Sequence, residues 1–207
     1  MLPLKTGDIL LCHAGNEPWP LSWFAGLIRY FTHSSFSHIG MVLYNPTFIN
    51  PALTGTFVWE SSGADENIDP QDGKHKFGVR ITPLADFLSV YEKQGGSIMV
   101  RRLQGASDRF TEAILKQVHD TVYAKPYDFR PDDWIKAMFP DVASSITTPT
   151  TERFWCSALV GYFYVQAGII DASTIWSLLS PSNFSSSDVH TLKFLEGAHL
   201  DCEQTIL

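Results

Sequence analysis

Positive charge is in short supply in this chain of 207 residues. Fifteen Lys and Arg stand against 22 Asp and Glu, for a formal charge of −7. A nucleic-acid binder needs a basic stripe to neutralise phosphates. The densest basic spots here, Lys74 to Lys76 and Arg101-Arg102, are short and read as solvated strand ends, so nucleic acid is not an expected partner. Long apolar runs are missing too. No window approaches the about 18 uninterrupted apolar residues of a spanning helix. Met1 to Leu11 carries Lys5 and Asp8 and lacks the ordered pattern of a secretory leader, which sets the expectation of a cytoplasmic protein. Cysteine is scarce: Cys12, Cys156 and Cys202 are odd in number and widely spaced, a poor disulfide framework. There is no C-x-x-C pair, and none of the seven histidines falls in H-E-x-x-H, so neither a metal nor another cofactor is expected.

What is present suits one ordinary globular domain over 1–207, with no linker, no repeat and no low-complexity tract beyond Ser185-Ser186-Ser187. The pattern predicts strands at Asp8–His13, His38–Tyr44, Thr56–Ser61, Phe77–Ile81 and Ser97–Leu103. Gly63–Gly73 reads as a polar loop. Helices are predicted at Pro18–Phe31, Pro83–Tyr91, Asp108–Tyr123 (capped by Ser107 or Asp108), Asp132–Phe139 and Phe154–Ala167, the last stopped by Gly168. In Asp108–Tyr123 the apolar stripe runs through Phe110, Ala113, Ile114, Gln117, Val118 and Val122. Two prolines in Lys125–Pro131 break the chain, Val142–Thr151 is a Ser/Thr-rich connection, and Pro181–Asp188 is a loop. Strands followed by helices favour an α+β fold with a mostly antiparallel sheet.

Cys156 opens a strongly apolar helix. A thiol in a first helical turn meets unpaired N–H groups and the positive end of the helix dipole, which favour thiolate, the nucleophilic form. The same N–H groups can bind the oxyanion of acyl transfer. A buried, inert core cysteine is the alternative. A thiolate nucleophile needs a base. His38 follows a polar stretch, Ser34 to Ser37, and opens an apolar strand, which aims it at a cleft; a solvent-facing histidine is the other reading, and His33 competes weakly. His13, His75, His119 and His190 read as surface or satisfied polar residues. Glu60 ends the next strand. If the two strands are antiparallel neighbours, Glu60 lies at the same edge as His38 and can orient the imidazole; a plain strand-end carboxylate is equally compatible.

Gly7-Asp8-Ile9-Leu10, Ser37-His38-Ile39-Gly40-Met41-Val42, Trp59-Glu60, Lys125-Pro126-Tyr127-Asp128 and Phe154-Trp155-Cys156-Ser157-Ala158-Leu159-Val160 come in that order. Together they resemble the permuted NlpC-type papain-like proteins, nearest to the YaeF/YiiX group, over about residues 5 to 190. The resemblance implies a circularly permuted papain-like fold, with a cysteine helix packed against a small, mostly antiparallel β-barrel or sheet. It also implies a cysteine hydrolase with Cys156 as nucleophile, His38 as base and Glu60 as third residue. It assigns Tyr127, and Ser157 beside the nucleophile, to the oxyanion or substrate. The stretch 130–151 stands as an insertion between Tyr127 and Cys156, and Trp134, Met138 and Phe139 within it are candidates for a lid. Asn183 stands where the family's loop after the cysteine helix carries an acidic residue.

The expected activity is cleavage of an amide bond, in a peptide or cell-wall-like peptide, through an acyl-enzyme. Asp65, Glu66, Asp69 and Asp72 could hold such a peptide or form a solvated acidic loop. A lipid-directed thioesterase, phospholipase or acyltransferase acting on acyl esters is the alternative, as in the permuted relatives of lecithin-retinol acyltransferase. The apolar residues of Trp19–Phe31 and Phe154–Tyr164 would serve as an acyl groove or as plain core. A non-catalytic binding module is the third reading.

Overall fold

The computed structural model describes residues 3–13, 15, 36–63, 67–128, 151–188 and 190–207. The helices expected at Pro18–Phe31 and Asp132–Phe139 lie outside them, as do His33, Asp65, Glu66, Trp134, Met138, Phe139 and nearly all of the Ser/Thr-rich connection.

The strands form where apolar residues run between turn formers. They are β1 (Ile9–His13), β2 (His38–Tyr44), β3 (Thr56–Ser62), β4 (Ile68–Asp69), β5 (Lys74–His75), β6 (Gly78–Pro83), β7 (Ser97–Arg101), β8 (Leu103–Gln104), β9 (His199–Leu200) and β10 (Gln204–Thr205). Three α-helices stand among the described residues: α1 (Leu84–Gln94), α2 (Glu112–Val122) and α3 (Cys156–Gln166). Six strands pair in the order β10-β7-β1-β2-β3-β6, every pair antiparallel. The α+β class and the antiparallel sheet therefore stand. Among the described residues the sheet is open, however, with β6 and β10 as its two edges, and does not close into a barrel.

Alternation along the strands splits the apolar residues between two faces. Ile9, Leu11, Ile39, Met41 and Trp59 meet α2 and α3 in the larger core. Leu10, Cys12, Val42, Val58 and Val100 meet Phe87 and Tyr91 of α1 in the smaller one. In α3 every residue from Cys156 to Tyr164 is buried, so its unbroken apolar sequence reflects burial on all sides. Gly168, at φ +64°, lies just past its end, as expected. Tyr164 Oη ties α3 to the sheet by donating to the Gly7 carbonyl at 2.6 Å.

Several local expectations change. The polar stretch 63–73 contributes β4, which pairs with β5 in a small hairpin. Helix α2 begins after Thr111, whose Oγ1 accepts from Ile114 N–H at 3.3 Å; Ser107 and Asp108 sit instead in a separate 3-10 turn. Phe110, buried between the two, takes a non-helical conformation and breaks the run. The buried stripe of α2 is Leu115, Val118 and Val122. Arg101 and Arg102 are not solvated strand ends but buried. Arg101 donates to the carbonyls of Asp201 (2.6 Å), Phe184 (2.8 Å) and Leu200 (2.9 Å), while Arg102 reaches the Pro3 carbonyl and Asp8. The C-terminal strands β9 and β10, which the sequence pattern did not announce, are anchored by these contacts and by pairing with β8 and β7 respectively.

Arg101→Met would strand three buried carbonyls. The expected loss is about 3 kcal/mol or more of stability, read as a lowered urea midpoint, with faster proteolysis of residues 199–207. An unchanged midpoint would mean that water replaces the guanidinium.

Candidate active site

The register places the site. β2 and β3 pair antiparallel, with Met41 opposite Trp59, so the start of β2 and the end of β3 share one edge. His38 Nε2 donates to Glu60 Oε2 at 2.7 Å. With that nitrogen engaged, Nδ1 is left for the hydrogen bond that His38 makes with Cys156. Three residues separated by up to 118 positions (156 − 38) thus form one continuous row. His38 retains 14% side-chain exposure, Glu60 is at 3% and Cys156 is buried.

Glu60 is gripped from its other side as well. Arg80 stands directly opposite it on β6 and donates from Nε to Oε1 at 3.1 Å; Thr82 Oγ1 donates to the same oxygen at 2.7 Å. Burial pushes the Glu60 carboxyl up, but Arg80, His38 and Thr82 outweigh it and hold it down at about 2. Burial also opposes charge on His38, yet its hydrogen bonds to Cys156 and Glu60 and the charges of both raise it to about 10. The imidazole is therefore held as imidazolium across the neutral range, beside a carboxylate that stays ionised. Gly40 supplies room for this arrangement. A Cβ there would collide with Val58 Cγ1 and come within 3.5 Å of Glu60 Cβ.

The cysteine is positioned by the segments around it. Trp155, at the N-cap position, offers no side-chain cap, and the first helical bond runs from Leu159 N–H to the Trp155 carbonyl. The N–H groups of the first turn, at Cys156, Ser157 and Ala158, are thereby left without an intrahelical acceptor. One carbonyl, that of Leu179, accepts from both neighbours of the cysteine: Trp155 Nε1 at 3.0 Å and Ser157 Oγ at 2.7 Å. The Ser157 hydroxyl is thus buried and committed to Leu179, which leaves only its backbone N–H for the contact expected of this residue. Ser61 Oγ, one residue past Glu60 and on the opposite face, donates to the Phe154 carbonyl at 2.6 Å.

Tyr127 is buried, and its backbone bridges in parallel to Phe154, two residues before Cys156. Asp128 N–H donates to the Phe154 carbonyl and Phe154 N–H to that of Pro126, each at 3.3 Å. The chain on either side of the stretch 129–150 therefore lies side by side, and the sequence distance from Tyr127 to Cys156 is no spatial distance.

Of the acidic residues offered for substrate, Asp69 is fully buried and already taken. It binds Lys76 Nζ at 2.7 Å, both nitrogens of Gln71 and the Ile81 N–H. Asp72 holds Lys76 and the Tyr123 hydroxyl. Both pin the β4–β5 hairpin. His119, half-buried, bonds Gln71 Oε1. Asn183 donates to Asp188 and accepts from Ser180, closing its own turn. Arg80, Thr82 and Leu179 are site residues that sequence reading missed; Arg80 and Thr82 carried one usable signal, as polar residues two apart in an otherwise apolar strand. No cluster of three or more potential metal ligands occurs among the described residues, and no helix among them is long and apolar enough to cross a membrane.

Fold and site together define an α+β protein with a thiol–imidazole–carboxylate row at a helix N-terminus. No family model matches the chain, and a search of curated proteins returns no significant match.

The row sets a pH signature. The Glu60 contribution to stability is present above about 4.5 and lost as pH falls through about 2; that of His38 is present below 6.5 and lost as pH rises through about 10. Urea midpoints against pH are expected to plateau between those limits. Glu60→Gln should flatten the acid fall and His38→Gln the alkaline one. Gly40→Ala should cost about 1–3 kcal/mol by overpacking Val58 and displace Glu60 from His38. A Gly40→Ala protein as stable as the parent would show that Val58 yields freely.

Proposed function

We propose that the protein is a cysteine hydrolase of circularly permuted papain-like type, cleaving an amide bond in a peptide or cell-wall-like peptide through an acyl-enzyme. The observation that carries this reading is the His38 ring held between Glu60, at 2.7 Å, and Cys156. In the proposed cycle the Cys156 thiolate attacks the carbonyl carbon, and the oxyanion sits among the first-turn N–H groups of α3. The His38 imidazolium then gives its proton to the leaving amine as the C–N bond breaks. His38, now neutral, takes a proton from the water that attacks the thioester; the proton returns to sulfur or imidazole as the acid departs. Glu60 accepts the Nε2 hydrogen bond throughout and stays ionised, which holds the tautomer and the ring orientation.

Action on acyl esters ranks second for a structural reason. The apolar residues of Phe154–Tyr164 that would line an acyl groove are used as core, packed against Trp59, Trp176 and Leu179 among others. A non-catalytic module would have no use for a buried charged row that leads to a thiol.

Exposure alone would direct a thiol reagent to Cys202, which is exposed, ahead of Cys156 and Cys12, which are buried. Iodoacetamide labelling at neutral pH, located by mass spectrometry, is expected to favour Cys156 and to slow there at least about tenfold in His38→Ala. Labelling ordered by exposure, and indifferent to His38, would overturn the hydrolase reading. On a peptide library, Glu60→Gln is expected to lower turnover about 100-fold or more with the fold intact. Unchanged turnover would remove Glu60 from the catalytic row. Faster turnover on acyl esters of growing chain length than on any amide would move the lipid reading to the front.

A further inference from the structure

We infer that Arg80, with Thr82 beside it, is a positioning residue of the candidate active site: it holds Glu60 in place as the fixed anion on which the His38 imidazolium depends. The inference rests on the hydrolase reading for its catalytic meaning, but its geometry stands independently. Glu60 has two carboxylate oxygens with separate duties. Oε2 accepts from His38, and Oε1 accepts from Arg80 Nε at 3.1 Å and Thr82 Oγ1 at 2.7 Å. Both donors come from β6, whose register sets Arg80 directly opposite Glu60. All three side chains are at most 3% exposed, and no buried side-chain polar atom among the described residues lacks a partner.

The electrostatic reason is direct. A buried carboxylate with a single imidazolium neighbour would share or take that neighbour's proton, since burial disfavours charge on both groups. A second, permanent cation on the far oxygen removes that option, because a guanidinium does not titrate in the accessible range. Imidazolium, carboxylate and guanidinium then alternate in sign along one row of His38, Glu60 and Arg80. Each cation in the row faces the carboxylate between them, which limits the cost of burying them. A neutral partner such as glutamine could hold the carboxylate in place but not keep it ionised. Arg80 NH1 also donates to the Lys76 carbonyl at 3.4 Å, which links the end of the row to the hairpin segment.

Among the described residues, the titratable groups around Glu60 are few. His38 faces it from β2 and Arg80 from β6; Cys156 of α3 acts through His38, and Cys12 of β1 lies opposite His38 in register. From α1, Tyr91 is buried in the cluster that includes Val58, and Asp86, Glu92 and Lys93 are exposed.

The test reads the Glu60 carboxyl directly, by its 13C resonance in glutamate-labelled protein, assigned with Glu60→Gln. In the parent, that resonance is expected to stay in its ionised position down to about pH 3. In Arg80→Met its midpoint should rise by at least about one pH unit, and Arg80→Lys should restore part of the difference. A midpoint unchanged in Arg80→Met overturns the inference. Should Arg80→Met fold poorly, Arg80→Met/Glu60→Gln should recover stability, because the buried carboxylate that lost its guanidinium is then gone and His38 can be buried neutral; a double variant no more stable than Arg80→Met overturns it equally. Cys156 labelling in the parent separates this from the wider reading. Unselective labelling defeats the hydrolase reading whatever Glu60 does. Selective labelling in the parent, with the His38-dependent rate lost in Arg80→Met below neutral pH and regained in Arg80→Lys, supports both.

Discussion

A carboxylate removed from water and surrounded by donors organises the candidate active site. Glu60 would be a liability at its depth in the sheet if it stood alone, because an unpaired buried charge costs more than most single interactions supply. The fold answers by pairing β3 with β6 so that Arg80 and Thr82 meet one oxygen, and with β2 so that His38 meets the other. Strand register thus controls which partners Glu60 meets. A slip of one residue would turn Glu60 to the opposite face and leave His38 without an anion.

The neighbouring residue on the same strand completes the geometry. Glu60 turns to the histidine and Ser61, on the other face, to the Phe154 carbonyl, so a single strand fixes both His38 and the approach to Cys156. On the far side the Leu179 carbonyl holds Trp155 and Ser157. Cys156 sits between two clamped neighbours on a helix buried along most of its length, with little freedom to drift from His38. Such rigidity is what the proposed nucleophile–base pair would require, since misplacement of reacting groups is costly to rate.

The regular core was legible before the structure. The sequence boundaries of β2 match the structure, and β1 and β3 differ by a residue, because an unbroken apolar run between turn formers has few alternatives. Cys156 and His38 were also legible, as a thiol opening an apolar helix and an imidazole opening an apolar strand. Less local features were not. The start of α2 moved to Thr111 because burial of Phe110 interrupts a run whose propensity alone would continue. Arg101 and Arg102 looked like surface charge because their partners are backbone carbonyls and a carboxylate up to 100 residues away in sequence. Asp69 looked like solvated loop because the lysine that neutralises it becomes a neighbour only when the β4–β5 hairpin closes.

The sequence by itself determined the class of fold, an antiparallel sheet with helices, and the two residue types most able to do chemistry. Both follow from local pattern: alternation, apolar runs and the position of a reactive side chain at the end of an element. Only the tertiary structure decided that His38 touches Glu60 and Cys156, and that Arg80 and Thr82 complete the row. It also showed that Ser157 spends its hydroxyl on Leu179 and that Tyr127 lies beside Phe154. Those relations depend on strand pairing and chain return across long separations, and the side chains involved carry no local mark of the partner they will meet.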